Sequence, residues 1–441
     1  MKIFAPARLG LWLTTTLTVA STPAFISPIR MHAEAPAAAV KVEVRKQQNG
    51  KFQLLRSGKP YYINGAGGSQ YLDRLAAYGG NSFRTWSTTD ADKTLAEANK
   101  YGLTVMMGLD VARERHGFDY NNTAEVAKQL ARLRADVLKH KDDPALLLWG
   151  IGNELNLDYT NPKVWDAVND IAKMIHEVDP NHPATTVLAG LNPKEAALVK
   201  ARCPDLDLLA VNTYGGLPAL PKQIRDYGWE GAYIVAEWGP TGHWECPQTS
   251  WKASVEETSS QKADAYQSRY AASMQQDTER CLGSYAFLWG QKQERTPTWY
   301  GLFTEDGKES EVIDVLQHLW TGKWPANRAP HVSPLLLDGK KATDNVYLKP
   351  GGSYSVAATA TDPNRDPLTY RWELLPESTD LKQGGDRESR PVAVPNAVAN
   401  KQPGQALLTA PAKEGAYRLF LYVYDGKNNV ATANIPFYIK S

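Results

Sequence analysis

Apolar and polar residues follow a pattern that repeats eight times after residue 60. Each short apolar run is followed by a stretch with apolar residues at helical spacing, as at 123–139. The runs that predict strands lie at 61–66, 82–86, 104–109, 146–151, 185–189, 208–211, 233–236 and 285–289. Eight such units in about 265 residues match a (β/α)8 barrel, whose usual length is about 250. We therefore predict an α/β fold of the TIM barrel type, since a doubly wound sheet would show fewer strands and a glycine-rich first turn.

Shorter regions flank the predicted barrel. Residues 41–60 alternate around Asn49-Gly50, a turn signal that predicts a hairpin. After residue 333, alternating runs at 354–360, 368–374 and 417–424 are separated by polar turns, which is typical of a β-sandwich. The predicted organisation is a barrel with its hairpin (41–324), a linker (325–332) and a smaller all-β sandwich (333–441).

The N-terminus has the features of an export signal. Lys2 and Arg8 precede an apolar run at 9–20, and small residues follow up to a possible cleavage site after Ala24. The run is too short to span a bilayer as a mature helix. We predict a signal peptide (1–24), a linker (25–40) and a periplasmic or secreted protein without an integral membrane segment in the mature chain. A buried first helix is the alternative.

Charge and composition narrow the choice of partners. Lys and Arg number 49 against 48 Asp and Glu, a net charge of +1 that gives no electrostatic case for nucleic acid. Tyr (21) and Trp (13) outnumber Phe (9), and rings with polar edges suit flat contacts with hydroxylated ligands.

The three cysteines lack metal-ligand spacing, and no nucleotide-binding loop is present, so no cofactor or metal is expected. Three cysteines cannot all pair within one chain. A bridge between Cys203 and Cys281 is one possibility, and the oligomeric state stays open.

Two glutamates come directly after apolar runs. Glu154 follows the fourth predicted strand in Gly152-Asn153-Glu154, and Glu237 follows the seventh. Reactive groups in such a barrel stand at the carboxyl ends of the strands. Either glutamate alone could be a structural carboxylate, but both together indicate a pair across a pocket. Such a pair suits acetal cleavage, because one group protonates the leaving oxygen while the other attacks the anomeric carbon or activates water.

These glutamates carry a resemblance to a known group. Residues 61–320 resemble the retaining glycoside hydrolases of clan A, families 2 and 5 in particular. The resemblance rests on these two glutamates, on Asn153 before Glu154, and on the segments Gly58-Lys59-Pro60-Tyr61-Tyr62-Ile63-Asn64-Gly65 and Gly301-Leu302-Phe303-Thr304-Glu305-Asp306-Gly307-Lys308. The resemblance implies that Glu154 is the general acid/base and Glu237 the nucleophile. The segments at 358–363 and 421–426 resemble Ig-like, PKD-like modules of exported polysaccharide enzymes.

The resemblance also implies roles for neighbouring residues. Arg84 would hold the nucleophile ionised, Asn153 would bond the 2-hydroxyl of the sugar, Tyr214 would bond the nucleophile, and Trp289 would be a sugar platform. Independently of the resemblance, Arg84 and Tyr214 would favour the ionised form of a neighbouring carboxylate, whereas an apolar wall beside Glu154 would favour its protonated form.

Three further residues are candidates from position alone. Trp86 and Trp238 fall at predicted strand ends, where a ring either stacks on a sugar or simply packs. Asp110 ends the third predicted strand and either bonds a sugar hydroxyl or caps a helix.

We therefore expect an exported enzyme that cleaves a β-linked oligo- or polysaccharide by double displacement, with β-glucan first and β-mannan or β-galactan next. A transglycosylase would use the same residues. Two rivals come from other classes. One is a non-catalytic carbohydrate-binding protein on the same barrel, and the other is an adhesion or anchoring protein in which the β-sandwich has the main role.

Overall fold

The computed structural model describes Gly10 and residues 39–441. Apart from Gly10, the predicted signal peptide (1–24) lies outside the described residues, as does most of the predicted linker (25–40).

The described chain begins with a small antiparallel sheet. Its strands are β1 (Val42–Lys46), β2 (Phe52–Arg56) and β3 (Lys59–Tyr61). Val42 and Leu54 are buried in one cluster with Ile63 and Met106 of the barrel strands. The sheet therefore covers one end of the barrel and leaves the opposite end for the site.

Eight parallel strands close into a barrel in sequence order, which confirms the predicted fold. The strands are β4 (Ile63–Gly67), β5 (Ser82–Arg84), β6 (Thr104–Leu109), β7 (Leu146–Ile151), β8 (Ala184–Ala189), β9 (Leu209–Asn212), β10 (Tyr233–Trp238) and β11 (Cys281–Ala286). Their near-continuous apolar sequences agree with burial on both faces of a parallel sheet.

Helices surround the barrel. They are α1 (Leu72–Ala77), α2 (Ala91–Tyr101), α3 (Thr123–His140), α4 (Lys163–Val178), α5 (Pro193–Arg202), α6 (Leu220–Asp226), α7 (Ser259–Ala272) and α8 (Glu311–Thr321), with short 3₁₀ helices at Glu114–His116, Leu217–Ala219 and Ala342–Asp344. Capping residues mark where some of these helices begin. At α3 the Asn122 side chain accepts a hydrogen bond from the amide of Glu125, and at α7 Thr258 and Gln261 form a capping box.

The eighth strand differs from the prediction. It spans Cys281–Ala286 rather than 285–289, and its register pairs Ala286 with Ala66. The apolar run continues past the end of the strand because Phe287 and Trp289 pack into aromatic clusters beyond it. Apolar composition alone could not locate the end of this strand. Residues 287–289 therefore lie beyond the strand, whereas the sequence predicted them within it.

The C-terminal region is an all-β domain. Its strands, together with β12 from the segment before α8, are β12 (Glu309–Ser310), β13 (His331–Val332), β14 (Leu336–Leu337), β15 (Tyr347–Leu348), β16 (Ser353–Ala357), β17 (Ala360–Thr361), β18 (Thr369–Pro376), β19 (Val398–Gln402), β20 (Gln405–Thr409), β21 (Gly415–Tyr424) and β22 (Asn429–Ile439). One sheet runs β12-β22-β21-β18 and another β14-β16-β20-β19. Val356 and Leu408 of the second sheet share a buried core with Leu419 and Ile435 of the first.

The β domain is joined to the barrel by backbone and buried side chains. β12 pairs in parallel with the start of β22. The hydroxyl oxygens of Ser259 and Ser260 on α7 accept hydrogen bonds from the amides of Thr432 and Val332, both at 2.9 Å. Residues 39–441 accordingly belong to one compact unit.

The three cysteines are unpaired, so the possible bridge between Cys203 and Cys281 is not formed. Cys203 follows α5 and its thiol donates to the carbonyl of Trp165, whereas Cys281 opens β11. Among residues 39–441, no helix combines the length and the apolar character needed to cross a bilayer.

Candidate active site

Glu237 lies near the carboxyl end of β10 and is saturated by hydrogen-bond donors. One carboxylate oxygen accepts from Nη1 of Arg84 and Nε1 of Trp86, and the other accepts from the hydroxyl of Tyr214, each at 2.9 Å. The residue is only 5% exposed. Charge-assisted hydrogen bonds of this kind hold a carboxylate in one orientation and stabilise its negative charge.

Arg84 connects the two halves of the site. It ends β5 and is buried, and its guanidinium bonds Glu237 on one side and Oδ1 of Asn153 on the other, at 2.9 and 2.6 Å. The same group donates to the carbonyl of Ala236 and to Oδ1 of Asn212. A buried guanidinium is tolerated because its donors are paired.

Glu154 follows β7 in a strained turn. Gly152 and Glu154 both have positive φ, 69° and 53°, and the amide of Glu154 is held by the carbonyl of Val187 at 2.9 Å. A non-glycine residue in the left-handed region costs free energy, and such strain concentrates at functional sites. The turn places the Glu154 side chain next to Asn212, whose Nδ2 donates to Oε1 of Glu154 at 2.9 Å.

The two glutamates differ in their electrostatics. Burial and the negative charge of Glu237 raise the pKa of Glu154 to about 7, although the hydrogen bond from Asn212 and the charge of Arg84 counteract the rise. Glu154 is thus poised to hold a proton near neutral pH, whereas Glu237 receives donors suited to a carboxylate. This division of roles is the one that acid-assisted attack requires.

The structure brings six of the nine predicted site residues into one hydrogen-bonded network. These are Arg84, Trp86, Asn153, Glu154, Tyr214 and Glu237.

The other three lie elsewhere. Trp289 is fully buried and donates to the carbonyl of Tyr71, and Trp238 is fully buried against Tyr266 and Tyr270 of α7. Neither ring offers a face to a sugar, which corrects the expectation of platforms there.

Trp238 points away from the mouth because it follows Glu237 in the strand, where successive side chains face opposite sides. Asp110 is an exposed residue whose side chain lies 3.7 Å from Arg113, and no hydrogen bond joins its carboxylate to the network in the described chain.

Sequence reasoning missed other members of the site. Asn212 ends β9, pairs in register with Glu237 and contacts both Asn153 and Glu154. Its position at a strand end was a usable signal. Phe287, directly after β11, packs edge-on against Trp86 with ring centroids 5.9 Å apart, and only the true end of the eighth strand reveals it.

One group of acidic side chains could approach a metal ion in the described chain. Oxygens of Asp362, Asp366 and Asp425 in the β domain lie within 4.8 Å of one another. Asp425 is already engaged by the side-chain amides of Asn327 and Asn429. The barrel site itself is built from two carboxylates, an arginine, amides and rings.

Comparison with known proteins supports the fold. No protein-family model matches the sequence, and no curated protein matches it. Among solved structures, the chain is similar to a β-glucuronidase of Bifidobacterium dentium, with 18% identity and a TM-score of 0.51 over 64% of this chain and 49% of that one.

Two further structures give the same result. Bacteroides uniformis β-glucuronidase 2 has 14% identity and a TM-score of 0.52 over 91% of this chain and 48% of that one. Ruminococcus gnavus β-glucuronidase has 14% identity and a TM-score of 0.51 over 65% and 53%. The chain thus spans about half the length of these proteins, and at such identities the likeness establishes the fold alone.

Proposed function

We propose that this chain is a retaining β-glycosidase in which Glu154 is the general acid/base and Glu237 the nucleophile. The observation that carries the proposal is the contrast within one network: Glu237 accepts three hydrogen bonds from Arg84, Trp86 and Tyr214, while the pKa of Glu154 is raised by burial and by Glu237.

The mechanism follows from these environments. Protonated Glu154 donates its proton to the glycosidic oxygen as Glu237 attacks the anomeric carbon, so the leaving sugar departs as an alcohol and a glycosyl ester forms on Glu237. Glu154, now ionised, takes a proton from an incoming water, whose oxygen attacks the anomeric carbon and releases Glu237. A sugar hydroxyl in place of that water would give transglycosylation with the same residues.

The names of the similar structures add support. They are β-glucuronidases, and one is covalently bound to cyclophellitol-6-carboxylate aziridine. A covalent complex in a protein of this fold is consistent with double displacement, which passes through a covalent intermediate. We include β-linked glucose, mannose, galactose and glucuronic acid among the candidate sugars.

We also propose that the protein is exported, because the apolar run at 9–20 has the features of a signal peptide.

The test is hydrolysis of 4-nitrophenyl β-glycosides of these four sugars, with the matching α-glycosides as controls. We expect nitrophenolate release from at least one β-glycoside, and proton NMR should show the β-anomer of the sugar as the first product. An α-anomer as first product would mean inversion and would overturn the assignment of Glu237. Binding of β-linked glycans without any hydrolysis would favour the non-catalytic rival.

A further inference from the structure

One loop of the β domain reaches the barrel mouth. It runs from Asp380 to Ser389, between β18 and β19, and we call these residues the bridging loop. Asp380 accepts hydrogen bonds from both the amide and the hydroxyl of Ser389, at 2.9 and 2.5 Å, so the two ends of the loop are held together. Compact loops with closed ends of this kind are often functional.

The tip of the bridging loop contacts the segment that follows the third barrel strand. Oδ2 of Asp386 lies 3.2 Å from Nε2 of His116, and its other oxygen lies 3.7 Å from Arg115. The Arg115 side chain is 8% exposed, and its terminal nitrogens make no hydrogen bond within the described chain. The same segment touches the site, because Nε of Arg113 donates to the carbonyl of Asn153 at 3.3 Å.

The tip also contacts the segment that follows the eighth barrel strand. Nζ of Lys292 donates to the carbonyl of Gly385 at 2.6 Å and to the carboxylate of Glu294 at 2.8 Å. The buried carboxylate of Glu388 accepts from the amide of Arg295 at 2.6 Å. Lys292 lies 5.8 Å from the ring of Phe287, which packs on the Trp86 that binds Glu237.

The bridging loop therefore joins two barrel segments on either side of the first and second strands. In the closed barrel the order is eighth, first, second, third strand, so these contacts lie on both flanks of the sector that carries Arg84 and Trp86. A cleft open to a continuous polysaccharide needs a gap between the surrounding loops. Here the gap on this side holds a loop fixed by the charged contact of Asp386 with Arg115 on one flank and by hydrogen bonds with Lys292 and Arg295 on the other.

We propose that the bridging loop is the end wall of the substrate pocket, so that the site takes the terminal sugar of a β-linked chain rather than an internal unit. The inference rests on the proposed glycosidase function. Mixed donors and acceptors meet along the wall, namely Asp386 of the bridging loop and Arg115, Lys292 and Glu294 of the barrel segments that it contacts, and hydroxyls of a terminal sugar can use such a set. Specificity for chain ends thus comes from the β domain, and the two domains form one binding unit.

The test compares product patterns from β-linked pentaoses, labelled at the reducing end, of the sugar whose 4-nitrophenyl β-glycoside the chain hydrolyses. For glucose these are the β-1,3-, β-1,4- and β-1,6-linked glucopentaoses. We expect the intact chain to shorten its preferred pentaose one sugar at a time. A variant in which residues 381–388 are replaced by two glycines should add internal cleavage products, because the closed base at Asp380 and Ser389 lets a short link span the gap. If the shortened protein does not fold, Asp386→Ala is the second variant, and it should give internal cleavage products in a smaller fraction. Asp338→Asn, at an exposed position of the β domain, is the matched control and should keep the end-wise pattern.

The outcomes separate the two proposals. Internal cleavage by the intact chain, or an unchanged end-wise pattern after shortening, would overturn the end wall while aryl β-glycoside hydrolysis left the proposed function in place. Cleavage of aryl glycosides without any pentaose cleavage would support the wall only if shortening restored pentaose cleavage, and would refute it otherwise. Absence of all glycoside hydrolysis would refute the proposed function and the wall with it.

Discussion

Two carboxylates of the barrel region, the half-buried Glu154 at the mouth and the buried Glu256 at the contact with the β domain, have opposite environments. Glu256 accepts hydrogen bonds from four side chains, at 2.6 to 2.9 Å, namely Lys262, Thr296, Thr298 and Asn434. Burial alone would raise the pKa of Glu256, but the charges of Lys262 and Arg418 and these hydrogen bonds outweigh it, and the pKa is lowered. Glu154 has one such side-chain donor, Asn212, and a raised pKa.

The difference separates a structural carboxylate from one that can transfer a proton. A buried carboxylate with every lone pair occupied stays ionised and fixes its neighbours. A buried carboxylate with few donors and a like charge nearby holds its proton up to neutral pH. Burial therefore identifies neither role, whereas the number and charge of the donors does.

The largest effect should come from Glu237 itself. In Glu237→Gln the three donors around the side chain remain, but the proposed nucleophile is lost, so kcat for an aryl β-glycoside should fall at least about 10⁴-fold, or about 5 kcal/mol. Glu305→Gln, at an exposed position of the segment after β11, is the control and should keep its rate. A Glu237→Gln protein that folds, by circular dichroism, and still turns over at a similar rate would remove the nucleophile from this position.

At the other carboxylate the expected effect is on stability. Glu256→Ala leaves the ammonium of Lys262 buried without its partner, which should lower the free energy of unfolding by about 3–5 kcal/mol in urea titrations. The double variant Glu256→Leu with Lys262→Met removes both charges, so its free energy of unfolding should fall by less than that of the single variant. If the single variant were as stable as the double one, the ion pair would not be what holds this contact.

The sequence was sufficient for the parts of the site that depend on strand ends. Parallel strands in a barrel all end at the same face, so a glutamate after the fourth apolar run and another after the seventh had to meet there. Arg84 and Tyr214 were predicted from the resemblance to the clan A glycoside hydrolases, and the hydrogen bonds of Glu237 join them. No knowledge of the loops was needed for these four residues.

The remaining parts depend on loops and on contacts between domains. Trp289 was misplaced because an apolar run does not reveal where a strand ends and packing begins. Glu294 lies in a loop that no strand register fixes, and its position depends on Lys292 and the bridging loop. The partners of Glu256 include Asn434, which lies 178 residues away in sequence. Such pairings come from tertiary packing, which local patterns do not encode.

A smaller effect should follow from Tyr214→Phe. The change removes one of the three donors to Glu237 and leaves the ring in its aromatic cluster. A hydrogen bond to a charged group contributes about 1.5–3 kcal/mol, so kcat should fall roughly 10- to 150-fold. Tyr300→Phe, in the same cluster, is the control. Equal losses in the two variants would indicate disturbed packing rather than a lost hydrogen bond to the nucleophile.

The smallest expected effect is on the pH dependence of kcat/KM. Burial and Glu237 raise the pKa of Glu154 to about 7, and the proposed acid must be protonated, so kcat/KM should decline as pH rises through about 7, approaching tenfold per unit. The decline should weaken for a 2,4-dinitrophenyl β-glycoside, whose leaving group needs no proton. Because the hydrogen bond from Asn212 favours ionised Glu154, Asn212→Ala should move the decline to higher pH. If kcat/KM declined already in the usual pKa range of glutamate, or if the decline changed neither with the leaving group nor in Asn212→Ala, Glu154 would not be the proton donor. The contrast with Glu256 would then be one of stability alone.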